Sequence, residues 1–321
     1  MNILNKCCFK NEQYSYLICY YNWRKFTNEF IELKDTLQCT NTDGSKINIK
    51  IHNYDNIVVI EMERGHSNEI NIKSCKYDIK NIILHFPFEQ SFSNYNNDIN
   101  IISTMCRMYN FRLDEWIDYH LKLGVDVIVI FDNTKNKTTN NEGDQDNDPD
   151  MTKVTEKYGD KVVVVDFSYA PLIGYHWNNL QSVSLFIGLH ALKYKSKYIT
   201  FIDADEFLKV ENNDIKKFCE NNSKTYQLCG NFMTNKSDND VIDNNILQIC
   251  KYVGKPTPEK MMVYSKDFLS NNPFYKFFNP HAIYNKNART NKITLYHCWV
   301  NKRMKYEENM KYLDLLENNE K

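Results

Sequence analysis

The chain has 321 residues, enough for one large α/β domain or for such a domain plus a smaller unit. Its 40 Lys and Arg nearly cancel its 41 Asp and Glu, which excludes the global positive field that gathers nucleic acid or an anionic membrane. No apolar run approaches a membrane span, residues 1–10 lack the apolar stretch of a signal peptide, and the ten cysteines never fall in a Cys-x-x-Cys spacing. The expectation is a soluble, cytoplasmic protein with reduced thiols and neither a zinc site nor a redox pair.

Taken in chain order, short β-prone runs at 16–21, 47–51, 57–62 and 82–86 are separated by Asn, Asp and Gly turns. They predict a small β-rich accessory unit over residues 1–97. Residues 89–100 are polar, without apolar periodicity, and read as the linker. From 98 to 321 the pattern changes to alternating strands and helices. A strand is expected at 101–105, and Leu113, Trp116, Ile117, His120 and Leu121 then repeat at helical spacing up to a stop at Gly124.

Residues 125–131 form a nearly continuous β-branched run, as in a strand buried on both faces, and end at Asp132-Asn133. The acidic segment 136–150 alternates Asp144, Asp146 and Asp148 like a calcium loop. Pro149 stands where the sharp-turn Gly belongs and Thr155 where the bidentate Glu belongs, so a solvated loop is expected. A helix at 152–158, a strand at 161–167, a helix at 179–192 and a strand at 198–202 follow; the last delivers Asp203-Ala204-Asp205-Glu206. An open, mostly parallel central sheet is the predicted fold, and 302–316 reads as a charged amphipathic helix.

In open α/β sheets ligands bind beyond the carboxyl ends of strands where the strand order reverses, so Asp132 and Asp203 are candidates for one site. Residues two apart in an extended segment share a side, so Asp203 and Asp205 can act together. Mg²⁺ or Mn²⁺ takes one or two carboxylates plus substrate phosphates, and would stabilise a departing diphosphate. The bland alternative is a polar strand end with a helix cap. Likewise Asp132 could merely cap a turn, and Glu115, Trp116 and His120 read as packing that seats their helix.

Larger words then narrow the reading. Glu115-Trp116-Ile117-Asp118-Tyr119-His120, Leu123-Gly124-Val125-Asp126 and Phe131-Asp132-Asn133 are followed by Gln181 and by Phe201-Ile202-Asp203-Ala204-Asp205-Glu206-Phe207-Leu208. Tyr296-His297-Cys298-Trp299 closes the series. In order and spacing they resemble family 92 and related family 2-like glycosyltransferases over about residues 101 to 310. The chain departs from that pattern at Arg107-Met108-Tyr109, at Phe232-Met233-Thr234-Asn235-Lys236 and at Asn301-Lys302.

The resemblance implies a GT-A fold over 98–321, with a nucleotide-sugar donor and a glycan or protein-linked glycan acceptor. Asp132 would contact the nucleoside, and Asn133 and Gln181 of the same words would belong to the donor-binding site. Asp203 and Asp205 would serve Mn²⁺ or Mg²⁺ and the diphosphate, and His297 would complete the metal site. Lys276, Arg289 and Lys302 are cation candidates for the leaving group. The resemblance leans toward inversion, which needs a carboxylate base; Asp238, Asp240, Asp243 and Glu259 are the candidates, unresolved among themselves. The rival readings are a sugar nucleotidyltransferase and a degenerate carbohydrate-binding protein on the same fold. A large DNA virus or a microbe building glycans in the cytosol would suit such a chain.

Overall fold

In a computed structural model, the described residues are 2–10, 14–20, 35–54, 57–74, 78–86, 88, 92, 98–106, 113–134, 151–169, 178–234, 246–269, 277–279, 282–283, 288–298 and 307–316. They divide between two compact units, Met1–Asn94 with Val165–Ala191, and Tyr95–Val164 with Leu192–Lys321.

The first unit begins with β1 (Asn2–Lys10), β2 (Tyr14–Tyr20), β3 (Gln38–Asn41), β4 (Lys46–Ile47), β5 (Ile49–Tyr54), β6 (Ile57–Glu63), β7 (Glu69–Lys73) and β8 (Asp78–Ile83). These make two four-stranded antiparallel sheets, in the orders β1-β2-β6-β5 and β4-β3-β7-β8. The period of two sends Ile70 and Ile72 of β7 to one side. There they join Leu17, Val58, Ile60, Cys39 and Ile82 in a common core.

The rest of the chain carries β9 (Ile99–Cys106), α1 (Leu113–Lys122), β10 (Val127–Asp132), α2 (Met151–Tyr158), β11 (Val162–Asp166), α3 (Asn178–Leu192), β12 (Ser196–Phe201) and β13 (Glu206–Val210). After these come α4 (Ile215–Glu220), β14 (Tyr226–Thr234), α5 (Ile246–Ile249), β15 (Tyr252–Tyr264), α6 (Ser265–Leu269), β16 (Phe277–Asn279), β17 (Ala282–Ile283), β18 (Ala288–Arg289), β19 (Ile293–Cys298) and β20 (Lys311–Tyr312). A ten-stranded sheet runs β11-β10-β9-β12-β15-β14-β19-β13, with β18 on β14 and β20 on β15.

This sheet is mixed rather than mostly parallel. β10 and β12 flank β9 in parallel, joined by crossovers that contain helices, whereas β12 with β15, β14 with β15, and β13 with β19 are antiparallel. The continuous β-branched run of β10 is buried along its whole length, as a strand covered on both faces must be. Helix α1 stops where expected: Gly124 takes φ +99, and the Gly124 and Val125 amides donate to Leu121 and His120 carbonyls.

No helix occupies the described part of 302–316; residues 307–316 instead place β20 against β15, with Tyr312 opposite Tyr252 and the Leu313 amide donating to Lys251. Edge pairing with β15, together with the Lys251–Asp314 ion pair, outweighs the local helical pattern. Most of the expected linker and the whole acidic loop 136–150 lie outside the described residues. The end of that linker, Ile99 and Asn100, already belongs to β9. Among the described residues no helix is long and apolar enough to cross a membrane.

Candidate functional site

Numbered by chain position from β9, the first four strands of the large sheet stand in the order 3-2-1-4, which reverses between β9 and β12. Registers place Phe201 level with Ser103 and Asp132 level with Cys106. Asp203, two residues past Phe201, and Asp132 therefore leave the sheet at the same edge, about 10 Å apart across the width of β9.

The β12 end is a tight turn. Glu206 N–H donates to the Asp203 carbonyl at 3.0 Å, and Asp203 N–H donates to Glu206 Oε2 at 2.8 Å. The antiparallel register of β13 and β19 puts Glu206 opposite His297, and the Cys298 amide donates to the Asp205 carbonyl at 2.9 Å. His297 thus comes to Asp205, with Nε2 3.0 Å from Oδ2, while its Nδ1 lies 3.7 Å from Glu206 Oε1. The Phe232 ring of β14 stacks on the imidazole at 5.0 Å between centroids.

Lys260 completes the cluster. The Phe201–Met261 pair ends the register of β12 with β15, so the next residue of β15 lies at the turn. Its ammonium is 2.5 Å from Asp203 Oδ2 and 3.4 Å from Glu206 Oε2. The lysine side chain is 3% exposed and that of Glu206 1%, whereas Asp203 keeps 32% of its side chain in solvent.

Burial and charge act against each other here. Burial lifts the Glu206 carboxyl, Lys260 pulls it down, Asp203 pushes it up, and the outcome is about 7. Burial disfavours charged His297, but Asp205 and then Glu206 outweigh it and raise the imidazole to about 8. Burial likewise opposes the Lys260 ammonium, and the carboxylates of Asp203 and Glu206 outweigh that too, so it is held protonated.

Helix α1 explains why the turn keeps its shape. Trp116 Nε1 donates to the Glu206 carbonyl at 2.7 Å and the Tyr119 hydroxyl to the Leu208 carbonyl at 2.8 Å. His120 Nε2 accepts from Leu208 N–H at 3.3 Å while Nδ1 meets the Trp116 carbonyl at 2.8 Å. The His120 ring stacks on Phe207 and its pKa falls to about 3 through burial, so it is a neutral, satisfied core histidine. Glu115 Oε1 accepts from the Leu247 amide at 2.9 Å. The Trp-Ile-x-Tyr-His word is therefore a brace on the backbone of β13, in line with a packing role for Trp116 and His120.

The other candidates are dispersed. Asp132 is buried, and its Oδ1 accepts from both N–H and Oγ1 of Thr134, at 3.0 and 2.6 Å, forming the local turn cap. Asn133 is fully buried and continues the β9 pairing through its amide to the Cys106 carbonyl. Gln181 stands on α3, in the other compact unit from Asp203. Glu259 is bound by Arg289 at 2.9 Å and by Gln227, with Cys229 at 3.5 Å. Asp238, Asp240, Asp243, Lys276 and Lys302 lie outside the described residues.

Sequence reasoning joined Asp203, Asp205 and His297, which do come together. It missed Lys260, and treated Glu206 only as part of a polar strand end. The available signal was the lone lysine heading the buried run Met261-Met262-Val263, where a solvated charge has no place.

As a metal donor set the cluster has suitable oxygens, yet its charge is already balanced from within. Asp203 Oδ2 is taken by Lys260 and Asp205 Oδ2 by His297, and among the described residues no three His, Cys, Asp or Glu side chains are disposed to hold a metal ion. Mn²⁺ or Mg²⁺ on either of those two oxygens would have to displace its ion-pair partner. No protein-family model matches the chain, and no curated protein matches it either.

Proposed function

We propose that this chain is a glycosyltransferase of the GT-A type, moving a sugar from a nucleotide-diphosphate donor to an acceptor hydroxyl. The observation that carries the reading is the placement of Asp203 and Asp205 immediately beyond β12, where the strand order reverses, with Asp132 ending β10 at the same edge. The ordered words shared with family 92 and family 2-like transferases support it further, and α1 gives one of them a physical purpose.

On this reading Asp132 faces the nucleoside and the Asp203–Asp205 turn faces the diphosphate and sugar. The bond from the anomeric carbon to the diphosphate oxygen breaks, a new bond forms to the acceptor oxygen, and the acceptor proton passes to a carboxylate. Glu259 suits that last task poorly, because Arg289 and Gln227 already engage it. Asp238, Asp240 and Asp243 remain the base candidates. Transfer to a glycan or protein-linked glycan would complete the activity.

The test is a panel of UDP- and GDP-sugars, with and without Mn²⁺, read as release of nucleoside diphosphate in the presence of simple sugar acceptors. Release by the wild type and its loss in Asp203→Asn supports transfer; pyrophosphate release would point to a nucleotidyltransferase. The ion pairs on both aspartates favour one second reading, a sugar-nucleotide-binding protein without turnover, which would show binding of the donors and no release.

A further inference from the structure

We propose that Lys260 is the built-in cation of the Asp203–Asp205 turn, standing in for a divalent ion, so that the site takes its nucleoside diphosphate without metal. The ligand class follows from the transferase reading above, whereas the independence from metal follows from Lys260.

The lysine reaches the turn from β15, a different strand from either acid, and its ammonium lies 2.5 Å from Asp203 and 3.4 Å from Glu206. At 3% exposure it is enclosed, while Asp203 is the partner that faces solvent. A divalent ion on Asp203 Oδ2 would stand within a few ångströms of this fixed, enclosed like charge. Withdrawing the lysine instead would leave Glu206, 1% exposed, to the more distant His297 at 3.7 Å as its counter-charge.

The result is a carboxylate at the surface whose charge is compensated from beneath. Such a group accepts hydrogen bonds from ribose or sugar hydroxyls and repels neighbouring phosphates less than a bare acid pair would. Lys260 acts through Asp203 and is a positioning residue.

Titration calorimetry on the full chain tests this with three probes: UDP, GDP and Mn²⁺ alone. Wild type should bind one of the nucleotides with affinities in EDTA and in Mn²⁺ that agree within about twofold. Lys260→Met should lose about tenfold in EDTA and regain it in Mn²⁺, and should bind Mn²⁺ alone about tenfold more tightly than wild type. Lys260→Arg, which keeps the charge, should retain metal-free binding. If Lys260→Met does not fold, Lys260→Met/Glu206→Gln removes both charges together and takes its place.

Nucleotide binding by the wild type that requires Mn²⁺ overturns the proposal, as does Mn²⁺ binding alone that is equally tight with and without Lys260. Absence of nucleotide binding in every condition sinks the transferase reading, and the Mn²⁺-alone comparison then still decides the role of Lys260.

Discussion

Two strand ends of the same sheet deliver acids to the same edge, and they are built in opposite ways. At the end of β10, Asp132 is held by its own neighbour: Thr134, two residues on, supplies both donors. At the end of β12, Asp203 and Asp205 are held by Lys260 and His297, 57 and 92 residues away in sequence. The brace on the following strand, Trp116, comes from 90 residues earlier. A locally wired acid tolerates change around it; a remotely wired one depends on several strands being in register at once.

Trp116→Ala should therefore do the most damage, and on the β12 side. The ring is fully buried and donates to the Glu206 carbonyl, so its loss should cost about 3–5 kcal/mol in denaturant unfolding. A loss under about 1 kcal/mol would mean that α1 does not brace β13.

Gly230→Ala comes next. An added Cβ would lie 2.4 Å from Thr257 Cγ2 and 3.0 Å from the Leu295 carbonyl oxygen. Because Thr257 Oγ1 is 3.5 Å from His297, the strain should reach the site. A cost of about 1–3 kcal/mol is expected, together with a changed His297 pKa by NMR titration. An unchanged His297 would show that β14 packing and the site are independent.

The histidines give a pH test with opposite signs. His297, raised to about 8 from 6.5, contributes stability that is fully present below about pH 6.5 and is lost as pH rises through 8. His120, lowered to about 3, contributes stability present above pH 6.5 and lost as pH falls toward 3. The stability difference between wild type and His297→Gln should thus shrink by up to about 2 kcal/mol between pH 6.5 and 8.5. Equal differences at both ends would contradict the Asp205–His297 pairing.

Asp132→Asn should be the mildest for folding, within about 0.5 kcal/mol, because the amide oxygen still accepts from Thr134. If Asp132 contacts the nucleoside as proposed, nucleotide affinity falls while the melting temperature stays. A large drop in melting temperature would make Asp132 structural.

Much of this was legible beforehand. The β-branched run ending at Asp132, the apolar run ahead of Asp203 and the helical spacing of Leu113, Trp116, Ile117 and His120 all became the elements they announced. The C-terminal segment did not, because pairing of Tyr312 with Tyr252 is an offer from a distant strand that local periodicity cannot register. The same blindness hid Lys260.

The chain by itself determined where strands end and which acids stand there, since both follow from hydrophobic patterning over a few neighbouring residues. Only the tertiary structure decided what those acids touch. The antiparallel insertion of β15 beside β12 carries a lysine to Asp203, and the pairing of β19 with β13 carries a histidine to Asp205. A buried charge takes its state from whichever counter-charge the fold brings within a few ångströms, and that is a property of register between strands rather than of any one of them.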